Sequence, residues 1–382
     1  MGFLDTMYDL RGTPFKDADL DYARGYWMFL IERVDPQWLV DPKGRLAIHW
    51  RSDTVPSAVQ LIDLARLLFA LARTITRDSN PAFGSKLKTL LNSDGVQYRE
   101  QLTEFVVGGL LTRLHQPLHL DRPSMSAQVE GERSKNVDYG VHWDSEPNGI
   151  LVEVTVFHVQ RIVDWEAAIL DIKKQFEQAV VKRNLNRALS ITAPLVLTRR
   201  TLSPKALSKA LRAMESSERG KQEVSLGKEK LALKWSPAAH YEEWLGDGVS
   251  DESGFAFTFG KGVEIGSLAA KSVNLAWPGD AEDLVNRSLR NTLDQKLKQF
   301  DVEVPYLLVV RILSNRIPFN GVIDLLTRRV FTNKKYARIS AVALLKLTCA
   351  QNTGYRPYLR LVLNLRTIKP LPDEFVAALV NS

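Results

Sequence analysis

Asp138 and Glu153 are the residues whose type and placement could do chemistry. They fall in two strand-like runs, 135–143 and 150–159, joined by Asp144-Ser-Glu-Pro-Asn-Gly149, in which Pro, Asn and Gly together read as a hairpin loop. If Trp143 faces Ile150, then Val137, Tyr139, Val141 and Trp143 lie opposite Val156, Val154, Val152 and Ile150, a continuous apolar face. The other face carries Asp138, Gly140, His142 and Asp144 against Thr155, Glu153 and Leu151. A one-residue slip would mix the two faces, but a two-residue slip would not. In this register Asp138 and Glu153 are diagonal neighbours, with Cβ atoms roughly 7–8 Å apart, near enough for both carboxylates to reach one hard cation. Mg²⁺ takes oxygen ligands at about 2.0–2.1 Å and keeps several waters, so two carboxylates and a carbonyl suffice, the Val154 carbonyl being the candidate third ligand. Such an ion activates a bound water and neutralises charge on a phosphodiester.

The elements around the hairpin must position that pair. A helix is expected over 98–115, stopped by Pro117, and Asp164 can cap another over 165–182. A strand follows at 188–197, then a mixed stretch, 203–280, with a basic helix and a Gly-rich part holding Phe255, Phe257 and Phe259. A helix over 281–300 and a buried strand over 305–313 come next. Residues 1–95 read as helical, with Trp27, Trp38 and Trp50 adding bulk and 59–73 apolar nearly all round. Residues 339–349 read as an apolar helix that buries the lone Cys349. The order is α/β, and the expected architecture is a mixed sheet flanked by helices. Three parts are expected: a helical accessory region at 1–95, a core at 96–315 with an insertion at about 203–280, and an α/β extension at 316–382 packed on the core.

Fifty-one basic against 44 acidic side chains leave +7, a mild attraction for polyanions. Basic residues cluster at Arg199 and Arg200, at Lys205, Lys209 and Arg212, and at Arg328, Arg329, Lys334 and Lys335. These are the candidate phosphate contacts. One cysteine excludes an intrachain disulfide and any multi-cysteine metal site. His115 and His119 have helical metal-pair spacing, but Pro117 between them breaks the helix. No nucleophile elbow or phosphate-binding glycine loop is present. No apolar run reaches the roughly 20 residues of a membrane span, and no secretory leader is visible, so a cytoplasmic protein without membrane contact is expected.

Asn136-Val-Asp138, a gap, then Ile150-Leu-Val-Glu153-Val-Thr155, set between helices and followed by a strand, resembles the core of the PD-(D/E)XK (restriction-endonuclease-like) nuclease superfamily. The resemblance covers about 97–197 and extends loosely to 281–313. It implies a restriction-endonuclease-like sheet, Asp138 and Glu153 as ligands of Mg²⁺ or Mn²⁺, and Glu104 on the preceding helix as an auxiliary carboxylate. Thr155 stands where the family expects lysine, the residue that orients the water and stabilises developing negative charge. In some members that lysine moves to a neighbouring helix. Lys296, bordering the stripe of Leu289, Leu293, Leu297 and Phe300, is the first substitute, Lys173 the second and Lys298 the third.

The expected function is therefore metal-dependent hydrolysis of nucleic acid, with DNA as the substrate. The alternative is a nuclease-like DNA-binding or assembly subunit that lacks the chemistry, in keeping with Thr155. A protein partner held by the N-terminal helices is a third, weaker expectation.

Overall fold

The computed structural model describes residues 17–51, 55–123, 136–183, 185, 187–192, 201–226, 229–237, 254–259, 279–297, 303–313, 317, 319–350 and 354–381. The chain divides into two compact units, one of residues 1–157, 290–313 and 319–382, the other of 158–289 and 314–318.

The first unit opens with helices α1 (Asp17–Ile31), α2 (Pro36–Val40), α3 (Leu46–Trp50), α4 (Val55–Thr74), α5 (Asn80–Asn92) and α6 (Gly95–Leu111). Three strands follow: β1 (Leu118–Pro123), β2 (Asn136–Trp143) and β3 (Glu146–Phe157). The remaining strands of this unit are β8 (Tyr306–Ile312), β9 (Ala341–Ala350) and β10 (Gly354–Leu363). They form one mixed sheet in the order β1-β2-β3-β8-β9-β10. β3, β8 and β9 run parallel, and the outer pairs are antiparallel. The central strands are near-continuous apolar runs, as strands covered on both faces must be. Tyr139, Val141, Ile150, Val152, Val154, Leu307, Val309, Ala341 and Ala343 share one core with Leu64, Leu68 and Leu71 of α4 and Leu102, Phe105 and Val106 of α6. Gly108 lets α6 approach closely: a Cβ there would stand 2.6 Å from the Tyr139 hydroxyl and 2.9 Å from Leu71.

The hairpin departs from the expected register by two residues. Tyr139 faces Val152, Gly140 faces Leu151 and Val141 faces Ile150, whereas Trp143 faces Glu146 across a two-residue turn at Asp144 and Ser145. Between those pairs β3 advances four residues while β2 advances two. The extra residues bulge around Gly149, whose φ is +68° and whose Cβ would lie 2.6 Å from the Val141 carbonyl oxygen. Both registers keep Val137, Tyr139 and Val141 on the face of Ile150, Val152 and Val154, so alternation could not choose between them.

The second unit holds α7 (Gln160–Lys182), β4 (Arg187–Thr192), α8 (Pro204–Ser216), β5 (Gly220–Leu226), β6 (Glu229–Pro237) and β7 (Gly254–Phe259). Helix α9 (Gly279–Leu297) gives its first half to this unit and its last turns to the first unit. The four strands form an antiparallel sheet, β5-β6-β4-β7. Leu189, Ile191, Leu231, Leu233 and Trp235 pack there with Ile172 and Phe176 of α7 and Leu211 and Met214 of α8. The strand expected at 188–197 is thus β4 of this second sheet, and β8 takes the place beside β3. The helix expected at 339–349 is strand β9; its buried apolar run, Ala341–Leu345, carries neither a two- nor a four-residue period to separate the two readings. The first unit also holds α10 (Phe319–Leu325), one π-helical turn (Leu326–Val330) and α11 (Asp373–Asn381).

Candidate active site

Strand β2 stays paired to β1 as far as Asn136, and β3 stays paired to β8 as far as Phe157, but the β2–β3 pairing runs only to Tyr139 and Val152. Beyond that point the two strands fork, and Asp138 and Glu153 are the first residues past it. The Val154 backbone N–H donates to Asp138 Oδ2 at 2.8 Å, so a side chain replaces the missing ladder bond. Continued one residue past Tyr139 and Val152, the observed register sets Asp138 opposite Glu153 and not diagonal to it. Val154 itself is buried in the apolar core.

Glu153 is 3% exposed. One of its oxygens, Oε1, accepts from Lys296 in the last turn of α9, and the other, Oε2, is buried without a hydrogen-bond partner. Burial first, then the Asp138 charge, push its carboxyl up to about 8, with Lys296 pulling the other way. Glu104 projects from α6, where its backbone carbonyl accepts the Tyr139 hydroxyl at 2.7 Å. Its carboxyl is raised to about 7, again by burial and then by Asp138.

Sequence reasoning missed the residue that ties these groups together. Lys86, on α5, contacts Glu104 Oε2 at 2.7 Å, Asp121 Oδ1 at 3.0 Å and Asp138 Oδ1 at 3.5 Å. Burial works against its charge, but Glu104, Asp138 and Asp121 prevail and hold its pKa above the ordinary lysine value. Its signal in the sequence is faint: Lys86 borders the stripe of Phe83, Leu87 and Leu90 much as Lys296 borders Leu289 and Leu293. Asp121 was missed because the short strand β1 was not expected; it holds a left-handed φ of 50°, tolerated by Asp better than by most residues.

Four carboxylates (Glu104, Asp121, Asp138 and Glu153) therefore meet two ammonium groups, Lys86 and Lys296. Hard oxygen donors with one orphaned, deeply buried oxygen suit a divalent ion of the Mg²⁺ type. Among the described residues no group of three or more His, Cys, Asp or Glu side chains is arranged, as it stands, to hold a metal ion. The carboxylates are spanned by lysines instead.

Lys173 is on α7 in the second unit, its side chain outside the described residues, as are Lys298, Arg199 and Arg200. Lys205 and Lys209 are exposed on α8, also in the second unit. Arg328, Arg329, Lys334 and Lys335 are exposed in the first unit. Lys335 is held by Asp294 at 2.7 Å, and Tyr336 donates to the same carboxylate at 2.9 Å, so this basic segment braces the α9 turn that carries Lys296. His142 is exposed, 3.5 Å from Asp144 near the hairpin turn. No described helix is long and apolar enough to cross a membrane.

Compared with protein-family models, curated proteins and solved structures, the chain matches none.

Proposed function

We propose that this protein is a metal-dependent nuclease with a PD-(D/E)XK-like core, hydrolysing phosphodiester bonds of nucleic acid, DNA in the first instance. The observation that carries the reading is Glu153: a carboxylate almost wholly buried, with one oxygen unsatisfied, set across a strand fork from Asp138. Burying like charges together is costly, and apolar residues in their place would be more stabilising. Perturbed carboxylates of this kind concentrate at functional sites.

In this reading Asp138 and Glu153 hold Mg²⁺ or Mn²⁺ and Glu104 assists. The ion would supply charge neutralisation at the phosphate and a more acidic water. Lys296 and Lys86 bring ammonium groups to the site, the charge that Thr155 does not provide. Asp138 also fixes the fork through the Val154 N–H, and Tyr139 fixes α6 against β2.

The same two lysines favour a second reading. They already neutralise part of the carboxylate charge without any ion, as expected of a nuclease-like DNA-binding or assembly subunit that performs no hydrolysis. Incubation of plasmid, single-stranded DNA and RNA with Mg²⁺ or Mn²⁺ separates the two. Cleavage by the wild type that is lost in Asp138→Asn and Glu153→Gln, with circular dichroism unchanged, supports the nuclease. DNA retarded on a gel but never cut supports the binding subunit.

A further inference from the structure

The edge strand β10 carries a second site of different character. Tyr358 is 48% exposed and stacks on Phe319, ring centroids 5.4 Å apart and planes inclined by 21°. Lys346, its cross-strand partner on β9, places its ammonium 5.3 Å from the Phe319 ring centre. The Arg360 guanidinium lies 5.5 Å from the Tyr358 ring centre, and its Nε donates to the Tyr358 hydroxyl at 2.6 Å. Neither Lys346 nor Arg360 pairs with a carboxylate among the described residues. Burial alone lowers the Lys346 pKa. An isolated surface aromatic is ordinary. Two stacked rings between two cations without counter-charges form a face complementary to a polyanion that has flat bases.

The cross-strand register joins this face to the carboxylate site. Thr155 pairs with Val310, Val310 with Leu344, and Leu344 with Arg360. Side chains of directly paired residues emerge on one face of a sheet, so Arg360 and Tyr358, two residues apart, share the face of Thr155 and Glu153. Three strand spacings of about 4.8 Å, roughly 14 Å in all, separate β10 from β3.

We propose that Tyr358, stacked on Phe319 and flanked by Lys346 and Arg360, is a base-stacking platform for single-stranded nucleic acid. Stacking is indifferent to sequence but requires an exposed base face, which a duplex withholds. The platform extends the nuclease reading by specifying how a substrate strand is held, yet it stands on separate residues.

Binding is measured by fluorescence anisotropy with short labelled oligo(dT), oligo(U) and a duplex, in EDTA, so that no hydrolysis is required. A single strand should bind more tightly than the duplex. Tyr358→Ala should weaken that binding by about 5- to 100-fold, the range for loss of one stacked base, and Tyr358→Phe, which keeps the ring, should weaken it less. Lys346→Ala and Arg360→Ala should each flatten the salt dependence by about 0.7 in log–log slope. No binding of either single strand, equal binding of the duplex, or full binding by Tyr358→Ala would overturn the proposal. Loss of cleavage with binding intact would instead count against the carboxylate reading alone.

Discussion

Ionised Glu153 should weigh against the fold, and the effect can be isolated by titration. An ordinary glutamate carboxyl titrates near 4.5, and in the folded protein burial and Asp138 raise Glu153 to about 8. Each unit of difference is worth about 1.4 kcal/mol, so complete ionisation opposes folding by roughly 5 kcal/mol at most. Between those two values the folded protein keeps a proton that the unfolded chain has released. Stability is therefore fully present below about 4.5, falls as pH rises through the window, and levels off above about 8. Glu153→Gln has no such proton to lose. In EDTA, the unfolding free energy of Glu153→Gln minus that of wild type should rise by about 3–5 kcal/mol between pH 5 and pH 9. Against burial, Lys296 owes its raised pKa chiefly to Glu153, so the same difference is taken in a Lys296→Met background, where no ammonium can titrate. Guanidinium denaturation followed by tryptophan fluorescence at several pH values gives the curve. A difference that stays constant within about 1 kcal/mol from pH 5 to 9 would refute the assignment of Glu153 as a high-pKa carboxyl.

Two further outcomes follow from the same geometry. Lys86→Met leaves Glu104, Asp121 and Asp138 without their shared ammonium and should destabilise by about 3–5 kcal/mol at pH 8, less at pH 5, where Glu104, raised to about 7, is protonated. Mg²⁺ should raise its melting temperature more than that of wild type, and an equal response in thermal scans would argue against a cation site there. Gly108→Ala should cost about 1–3 kcal/mol despite the better helix propensity of alanine, because its Cβ meets the Tyr139 hydroxyl at 2.6 Å. Chemical denaturation measures the loss, and a stabilised variant would show that α6 is free to shift.

Much of the first sheet was legible because its strands differ in how they are covered. The β2–β3 hairpin alternates, so its faces could be assigned, and Asp138 and Glu153 were placed together. Its register could not be, since the shift depends on the left-handed backbone of Gly149 and not on hydrophobicity. β9 is apolar at every position of its buried run, where period is silent and a helix fits as well as a strand. β4 has honest strand character, but the sheet it joins is decided by partners distant in sequence. Lys296 was found because a stripe of leucines framed it. Lys86 escaped because residues 1–95 were read only as a helical accessory region, and the three carboxylates it meets lie 18, 35 and 52 residues away along the chain.

The fork explains why charge collects at this one point of an otherwise apolar sheet. Wherever β2 and β3 remain paired, their backbone groups satisfy each other and side chains need only pack. Where pairing lapses, the Val154 N–H requires an acceptor, and Asp138 provides it, bringing a negative charge to the mouth of a buried strand. That charge raises the cost of ionising Glu153 and Glu104, and each lysine offsets only part of it. Four carboxylates against two ammonium groups leave a formal deficit of two positive charges. Two protons can fill it at neutral pH, on Glu104 and Glu153, and so can the one divalent ion proposed here. Protons and metal then compete for the same oxygens, and metal affinity must climb as pH passes from 7 to 8, when the carboxyls release their protons. A structural ion-pair cluster would have no need of that deficit, because two more basic side chains would remove it. On this reasoning the shortfall of positive charge, more than the number of carboxylates, is what separates a working metal site from a solvated acidic face.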